Sequence, residues 1–344
     1  MSIQDTAPVR PGEELNIPAL TEFLEIRLTG GAAGLRVEQF PGGHSNLTYM
    51  ISAGGREFVL RRGPLGPVPP KAHDMAREYR ILRAIHPHFQ PAPEAILLCE
   101  DLAILGSVFF LMERRRGVVI RDAVPEQFVE LRDLPARLSE AFIDCLATLH
   151  SVGISAPDLA ALGKPEGFLE RQVRGWSERW LRSQTTPLPG MDRIMEWLDQ
   201  SVPPPLAPTI VHNDFKLDNV MFDFNDPNRV AAVLDWEMTT IGDPLVDVGL
   251  TLCYWRLGSV SSLSGDIGLY SREQFLARYA AKTGRDLARI HWYEILGIFK
   301  LAVILQQIYF RYHQGQTRDE RFRHFDARVA NLVNDAMQLL ERHG

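Results

Sequence analysis

Three side chains, Asp214, Asn219 and Asp235, have types and spacing that suit phosphoryl-transfer chemistry. They sit in one stretch: Ile210-Val211-His212-Asn213-Asp214-Phe215-Lys216-Leu217-Asp218-Asn219, an apolar run to Phe224, a turn over 225–229, and a second apolar run that ends at Asp235. If the two runs pair as a hairpin around Asp226-Pro227-Asn228, the chain leaves from Asn219 and returns at Asp235, so both side chains stand at the open end. An amide oxygen and a carboxylate at one point suit a hard cation such as Mg²⁺, which keeps several waters and borrows oxygens from a bound phosphate. Asp214, five residues before Asn219, is then left to accept the proton of an attacking hydroxyl. Phosphoryl transfer asks the protein mainly for such positioning and for charge neutralisation. Any one of these residues alone would be a turn former or a helix cap; the joint spacing is what points to chemistry.

The elements that must hold these residues read as two kinds of chain. After a loose proline-bearing arm and a helix over 17–28, β-type runs at 35–40, 47–52 and 57–61 are separated by Pro41-Gly42-Gly43 and Ala53-Gly54-Gly55, the mark of an antiparallel meander. A proline-rich loop over 64–70 leads to a helix on which Met75, Tyr79, Leu82 and Ile85 recur at helical spacing, with Glu78 in its middle. Two more β-type runs, 94–98 and 108–112, complete an N-terminal sheet. Beyond Glu113, amphipathic helices over 138–149, 167–182, 191–201, 244–255, 272–281, 292–312 and 321–342 dominate, with one clear β segment at 209–235. The architecture expected is α+β and two-lobed. Its divisions are an arm and helix at 1–30, a small nucleotide-binding antiparallel-sheet lobe at 31–113, and a large helical lobe with the catalytic loop and substrate site at 114–344.

With 344 residues, 45% of them hydrophobic and 23% charged, the chain is ordinary globular protein with ample material for a core. A net charge of −6 gives no diffuse attraction to nucleic acid or to an anionic membrane, so neither is expected as a partner. Cys99, Cys145 and Cys253 are odd in number and lie in apolar surroundings, which reads as reduced core thiols in a cytoplasmic protein. The apolar stretch 295–310 is broken by Lys300, Gln306 and Gln307 and reads as a buried core helix, not a bilayer span. Trp176 and Trp180, at helical spacing, read as core or pocket wall. The run Glu113-Arg114-Arg115-Arg116 reads as a solvated connection.

His212-x-Asp214-x-x-x-x-Asn219 followed by Asp235 after a hairpin resembles the catalytic loop and metal-binding aspartate of protein-kinase-like folds. The forms Leu234-Asp235-Trp236-Glu237 and Gly242-Asp243-Pro244-Leu245-x-Asp247 are similar to the aminoglycoside phosphotransferase and choline kinase branch, and most of all to the kinase-like proteins allied to acyl-CoA dehydrogenases. The resemblance implies Asp214 as catalytic base, Asn219 and Asp235 as Mg²⁺ ligands, and the loop with Gly42, Gly43, Ser45 and Asn46 over the nucleotide phosphates. It implies Lys216 beside the transferring phosphate, and a hinge over 111–114, with Glu113, against adenine. Asp247 is implied as a brace of the loop, and His212 as a structural group behind it. Where such folds carry a phosphate-binding lysine stands Arg61, with Arg62 next to it. A helix glutamate, Glu78, would orient it through a bidentate pair. Asp235 is followed by Trp236-Glu237 instead of Phe-Gly, which removes the switch of regulated protein kinases.

The function implied is an ATP- and Mg²⁺-dependent small-molecule kinase acting on a hydroxyl. The acceptor is a hydroxyacyl-CoA or hydroxy acid, with an aminoglycoside, choline or a sugar amine as alternatives. A nucleotide-binding pseudokinase or sensor is the rival of another class, and the joint presence of Asp214, Asn219 and Asp235 argues against it. A metallohydrolase would need a further His/Asp cluster at ligand spacing, and Gly43-His44-Ser45-Asn46-Leu47 lacks the last glycine of a nucleophile elbow.

Overall fold

A computed structural model of the chain describes residues 5–41, 46–64, 74–121, 125, 128–257, 268–317 and 319–343. It divides into two compact units, Met1–Gly117 with Ala231–Glu237, and Val118–Val230 with Met238–Gly344.

The first unit is built on an antiparallel sheet. Its strands are β1 (Arg36–Gln39), β2 (Leu47–Ala53), β3 (Arg56–Arg62), β4 (Ala95–Cys99) and β5 (Phe109–Glu113), in the order β1-β2-β3-β5-β4. Gly54 and Gly55 make the two-residue turn between β2 and β3 with φ of 56° and 73°, a geometry that favours glycine at both positions. Three helices complete the unit: α1 (Ile17–Arg27), α2 (Met75–Ile85) and α3 (Leu102–Leu105). Tyr49, Ile51, Phe58, Leu60, Phe109 and Leu111 form a core with Leu20, Phe23 and Leu24 of α1. Burying each such side chain is worth about 1.5–3 kcal/mol. The Asp74 carboxylate caps α2 by accepting from the Arg77 amide at 2.8 Å.

The N-terminal arm departs from expectation, because its described residues are tied down. Ala7 bridges Gln39, Leu15 is buried, and the Tyr49 hydroxyl donates to the Glu13 carbonyl at 2.7 Å. The arginine run is also engaged within this unit: Arg114 pairs with Asp5 at 2.7 Å, Arg115 with Glu113 at 2.9 Å and Arg116 with Glu57 at 2.5 Å.

The second unit is mainly helical. Its helices are α4 (Leu134–Leu149), α5 (Pro157–Ala160), α6 (Phe168–Ser183), α7 (Pro189–Gln200), α8 (Leu245–Leu257), α9 (Arg272–Thr283), α10 (Ile290–His313) and α11 (Phe325–His343). The expected β segment at 209–235 is not continuous: β7 (Thr209–Val211) is followed by the loop 212–219 and then β8 (Val220–Phe222), while β9 (Val230–Val233) belongs, all but its first residue, to the sheet unit. β8 pairs antiparallel with a short strand missed in the sequence, β6 (Val118–Val119). Asp226 forms the predicted turn by accepting the Asn228 amide at 3.0 Å. Another missed strand, β10 (Thr240–Gly242), pairs antiparallel with β7.

α10 is long and apolar enough to cross a membrane, yet 72% of its apolar window is buried, against α8, α11 and α6. Its approach to α8 is set by glycine. A Cβ at Gly249 would lie 2.2 Å from the Tyr293 carbonyl oxygen, and one at Gly297 would lie 2.8 Å from the Gly249 carbonyl oxygen. That close crossing fixes α8, which carries two residues of the site below. Cys99, Cys145 and Cys253 are free and buried.

Candidate active site

In the helical unit the loop after β7 is shaped by a buried carboxylate. Asp247, 1% exposed near the start of α8, accepts the His212 amide at 2.7 Å with Oδ2 and the Asn213 amide at 2.6 Å with Oδ1. Its Oδ2 also lies 3.2 Å from His150 Nε2, and His150 Nδ1 lies 2.7 Å from the Tyr279 hydroxyl. Burial opposes ionisation of Asp247, but the His150 contact, His212 and the amide donors outweigh it and hold its carboxyl below the usual range. The loop can then turn through Asn213 at φ 65°, a left-handed conformation that Asn tolerates better than most residues. The Asn213 side chain is fixed in turn, donating to the Met238 carbonyl at 3.1 Å and accepting from Lys300 Nζ at 3.1 Å.

Asp214 follows on this braced turn and is 20% exposed. Its Oδ1 accepts from the Tyr254 hydroxyl at 3.2 Å and from Lys216 Nζ at 3.1 Å. Its Oδ2 accepts from Asn219 Nδ2 at 2.8 Å and lies 2.9 Å from Lys216 Nζ. The Asp214 amide donates to Nδ1 of the buried His212 ring at 3.3 Å. Burial and the nearby Asp214 charge raise Tyr254 well above the usual phenol range, so it stays a donor. Asn219 also gives Nδ2 to the Asp214 carbonyl at 2.9 Å, and its Oδ1 accepts no hydrogen bond among the described residues.

The sheet unit assembles a second group. Side chains alternate along β3, so Arg61 and Arg62 point to opposite faces. Arg62 Nη1 donates to the Leu105 carbonyl at 3.3 Å beside the core, whereas Arg61 Nη1 meets Glu78 Oε1 on α2 at 2.5 Å. Arg61, and not Arg62, is therefore the arginine that meets the α2 glutamate. Its Nη2 lies 3.4 Å from Asp235 Oδ1. Burial is the main influence on Glu78 and lifts its carboxyl to about 7, although Arg61 pulls the other way. Asp235 stands at φ 64°, two residues past the end of β9, with its side chain 37% exposed. Asn46 is buried; its Nδ2 donates to Glu237 Oε2 at 3.1 Å and its Oδ1 has no hydrogen-bond partner among the described residues. Gly42, Gly43 and Ser45 lie outside the described residues.

Sequence comparison adds the family. Residues 36–293 match the family model described as the phosphotransferase enzyme family, APH. The chain belongs to that family. This phosphotransferase is 33% identical over 92% of its length to acyl-CoA dehydrogenase family member 10 of Mus musculus, of which it covers 30%. It spans less than half the length of the curated relatives it matches. A solved structure from Ralstonia eutropha, described as a candidate aminoglycoside phosphotransferase, superposes with a TM-score of 0.83 at 29% identity, covering 96% of this chain and 99% of that one. The aminoglycoside phosphotransferase APH(4)-Ia, solved with AMP-PNP and hygromycin B, superposes with a TM-score of 0.61 at 18% identity over 93% of this chain and 98% of that one. The fold of this phosphotransferase is the kinase-like α+β fold of that group.

The residues named from sequence thus fall into two sets and one outlier. Asp214, Lys216 and Asn219 meet in the helical unit; Asn46, Arg61, Glu78 and Asp235 lie in the sheet unit. Glu113 joins neither set. Its amide is given to the Glu94 carbonyl at 2.8 Å and its carboxylate faces Arg115. Tyr254 was missed: it lies two helical turns beyond Asp247 on α8, a spacing that returns to the same face.

Proposed function

We propose that this phosphotransferase is a kinase that moves the γ-phosphoryl group of ATP to a hydroxyl of a small molecule. The observation that carries the reading is the Asp214 carboxylate, held by Tyr254, Lys216 and Asn219 on a loop anchored to Asp247. In the proposed step an Asp214 oxygen takes the acceptor's proton as the acceptor oxygen bonds to the γ-phosphorus. The bond from that phosphorus to the β,γ-bridging oxygen breaks, and ADP leaves with the electron pair. Lys216, at Asp214, supplies positive charge beside the transferring group. Arg61, oriented by Glu78, is assigned to the nucleotide phosphates, with Asn46 and the loop containing Gly42, Gly43 and Ser45 over them.

The donor set fits Mg²⁺. Asn219 turns its amide nitrogen onto Asp214 and keeps Oδ1 unengaged, and the Asp235 oxygen away from Arg61 makes no hydrogen bond among the described residues. Mg²⁺ takes only one or two protein oxygens and completes its shell from phosphates and water. Asn219 and Asp235 are the proposed ligands, and the ion when bound neutralises charge on the phosphate oxygens.

For the acceptor, kinship with a protein named as an acyl-CoA dehydrogenase family member favours a hydroxyacyl-CoA or hydroxy acid over an aminoglycoside, choline or a sugar amine. An ADP-release assay with one acceptor from each class, with and without Mg²⁺, tests the proposal. Metal-dependent turnover of a hydroxy acid or its CoA thioester is expected. Turnover of only the amine-bearing acceptors would overturn the acceptor class, and turnover of none would overturn the kinase.

A further inference from the structure

The helical unit contains a cavity of roughly 320 Å³ whose wall includes Lys164, Arg171, Arg179 and Lys300 and no acidic side chain. In a chain of net charge −6, four cations gathered around one concavity form a local field opposite to the global one. None of the four is ion-paired to a carboxylate among the described residues. Arg171 is pinned instead on the backbone carbonyls of Lys164 and Glu166, which leaves its charge uncompensated. Arg179 lies 4.6 Å above the Trp176 ring centre, itself part of the wall.

Lys300 carries the most weight. It projects from the buried middle of α10, is 2% exposed, and spends a single hydrogen bond on Asn213 Oδ1. An ammonium has three hydrogens to place, and the carboxylates that favour its charge, Asp247 and Asp214, take no hydrogen bond from it among the described residues. Burial pulls Lys300 down to about 8, which still leaves it charged at neutral pH. Asn213 is also in the wall, and it directly precedes Asp214. The concavity therefore adjoins the loop that carries the proposed base.

We infer that this cavity is an anion subsite for the acceptor, taking a carboxylate or phosphate group of the molecule whose hydroxyl is presented to Asp214. The inference rests on the kinase reading for the hydroxyl, but the anion site stands on its own residues. Guanidinium groups match the planar edge of a carboxylate or two oxygens of a phosphate, and a cationic amine would meet four like charges.

Calorimetric titration of the whole chain, without ATP or Mg²⁺, separates the two readings because no turnover is needed. The probes are coenzyme A for phosphate, 3-hydroxybutyrate for carboxylate, and choline as the cation. One or both anions should bind and choline should not. The double variant K164Q/R179Q, altered only at exposed positions, should weaken anion binding about tenfold or more, and Lys300→Met should do the same. Arg182→Gln, on the same helix as Arg179 but outside the wall, should change nothing. Anion binding by only one probe assigns the group it carries. Absence of anion binding, equal affinity in wild type and K164Q/R179Q, or preference for choline overturns the site. Anion binding in a chain that phosphorylates no hydroxyl would strike the kinase reading and leave the site in place.

Discussion

At the scale of single residues, Asp214 has its two oxygens fixed by three side chains of different character. Tyr254 gives it a neutral hydrogen bond at 3.2 Å, and its ring, which phenylalanine would keep, lies 5.3 Å from Lys216 Nζ. Tyr254→Phe should therefore lower kcat about tenfold, with the KM for ATP unchanged in steady-state assays. Glu78 gives a pH test. Its folded carboxyl titrates at about 7 against 4.5 for an ordinary glutamate, so the folded state holds the proton more tightly. Its contribution to stability is fully present below about 4.5 and is lost as pH rises through about 7. Urea midpoints at pH 5 and pH 8 should show a smaller fall for Glu78→Gln than for wild type. The meeting of Asn219 with Asp214 was legible in the sequence because the two are tied to a fixed spacing. The choice between Arg61 and Arg62 was not, since it depends on which face of β3 meets α2, and only the strand register decides it. Tyr254 escaped notice because a tyrosine among Leu252, Cys253 and Trp255 looks like core until its hydroxyl is seen on Asp214.

At the scale of elements, the site depends on α8, which brings Asp247 under the loop and Tyr254 beside it, and α8 depends on the glycine crossing with α10. A methyl at Gly249 would have to displace backbone, because Tyr293 O lies 2.2 Å from where that carbon would stand. Gly249→Ala should cost about 1–3 kcal/mol of unfolding free energy, seen as a lower urea midpoint, and should reduce kcat as well because α8 shifts. The long helices were readable from their apolar period, and so were the first three strands with the Gly54-Gly55 turn. The three-residue strand β10 was not, because Thr240-Ile241-Gly242 is too short to show an alternation. The arm was misread for a similar reason: the Ala7 to Gln39 bridge is a long-range pairing that local composition does not announce.

At the scale of the molecule, an acidic chain keeps its cations in particular places: Arg61 at Glu78 and Asp235, Lys216 at Asp214, and four around one cavity beside the catalytic loop. A kinase for an anionic acceptor needs such an arrangement, since donor and acceptor are both negative and repel each other in water. The relatives carry more chain than this one spans, so the acceptor of the longer proteins is a separate question from the transfer chemistry of this domain. In the proposed reading the transfer chemistry rests on Asp214. Its most direct test is phosphoryl transfer by Asp214→Asn, which keeps the size and most hydrogen bonds of the side chain but removes its basicity, measured beside nucleotide binding by the same variant. The account predicts a loss of roughly 10² to 10⁴ in kcat with nucleotide affinity preserved. Undiminished transfer by Asp214→Asn would contradict it.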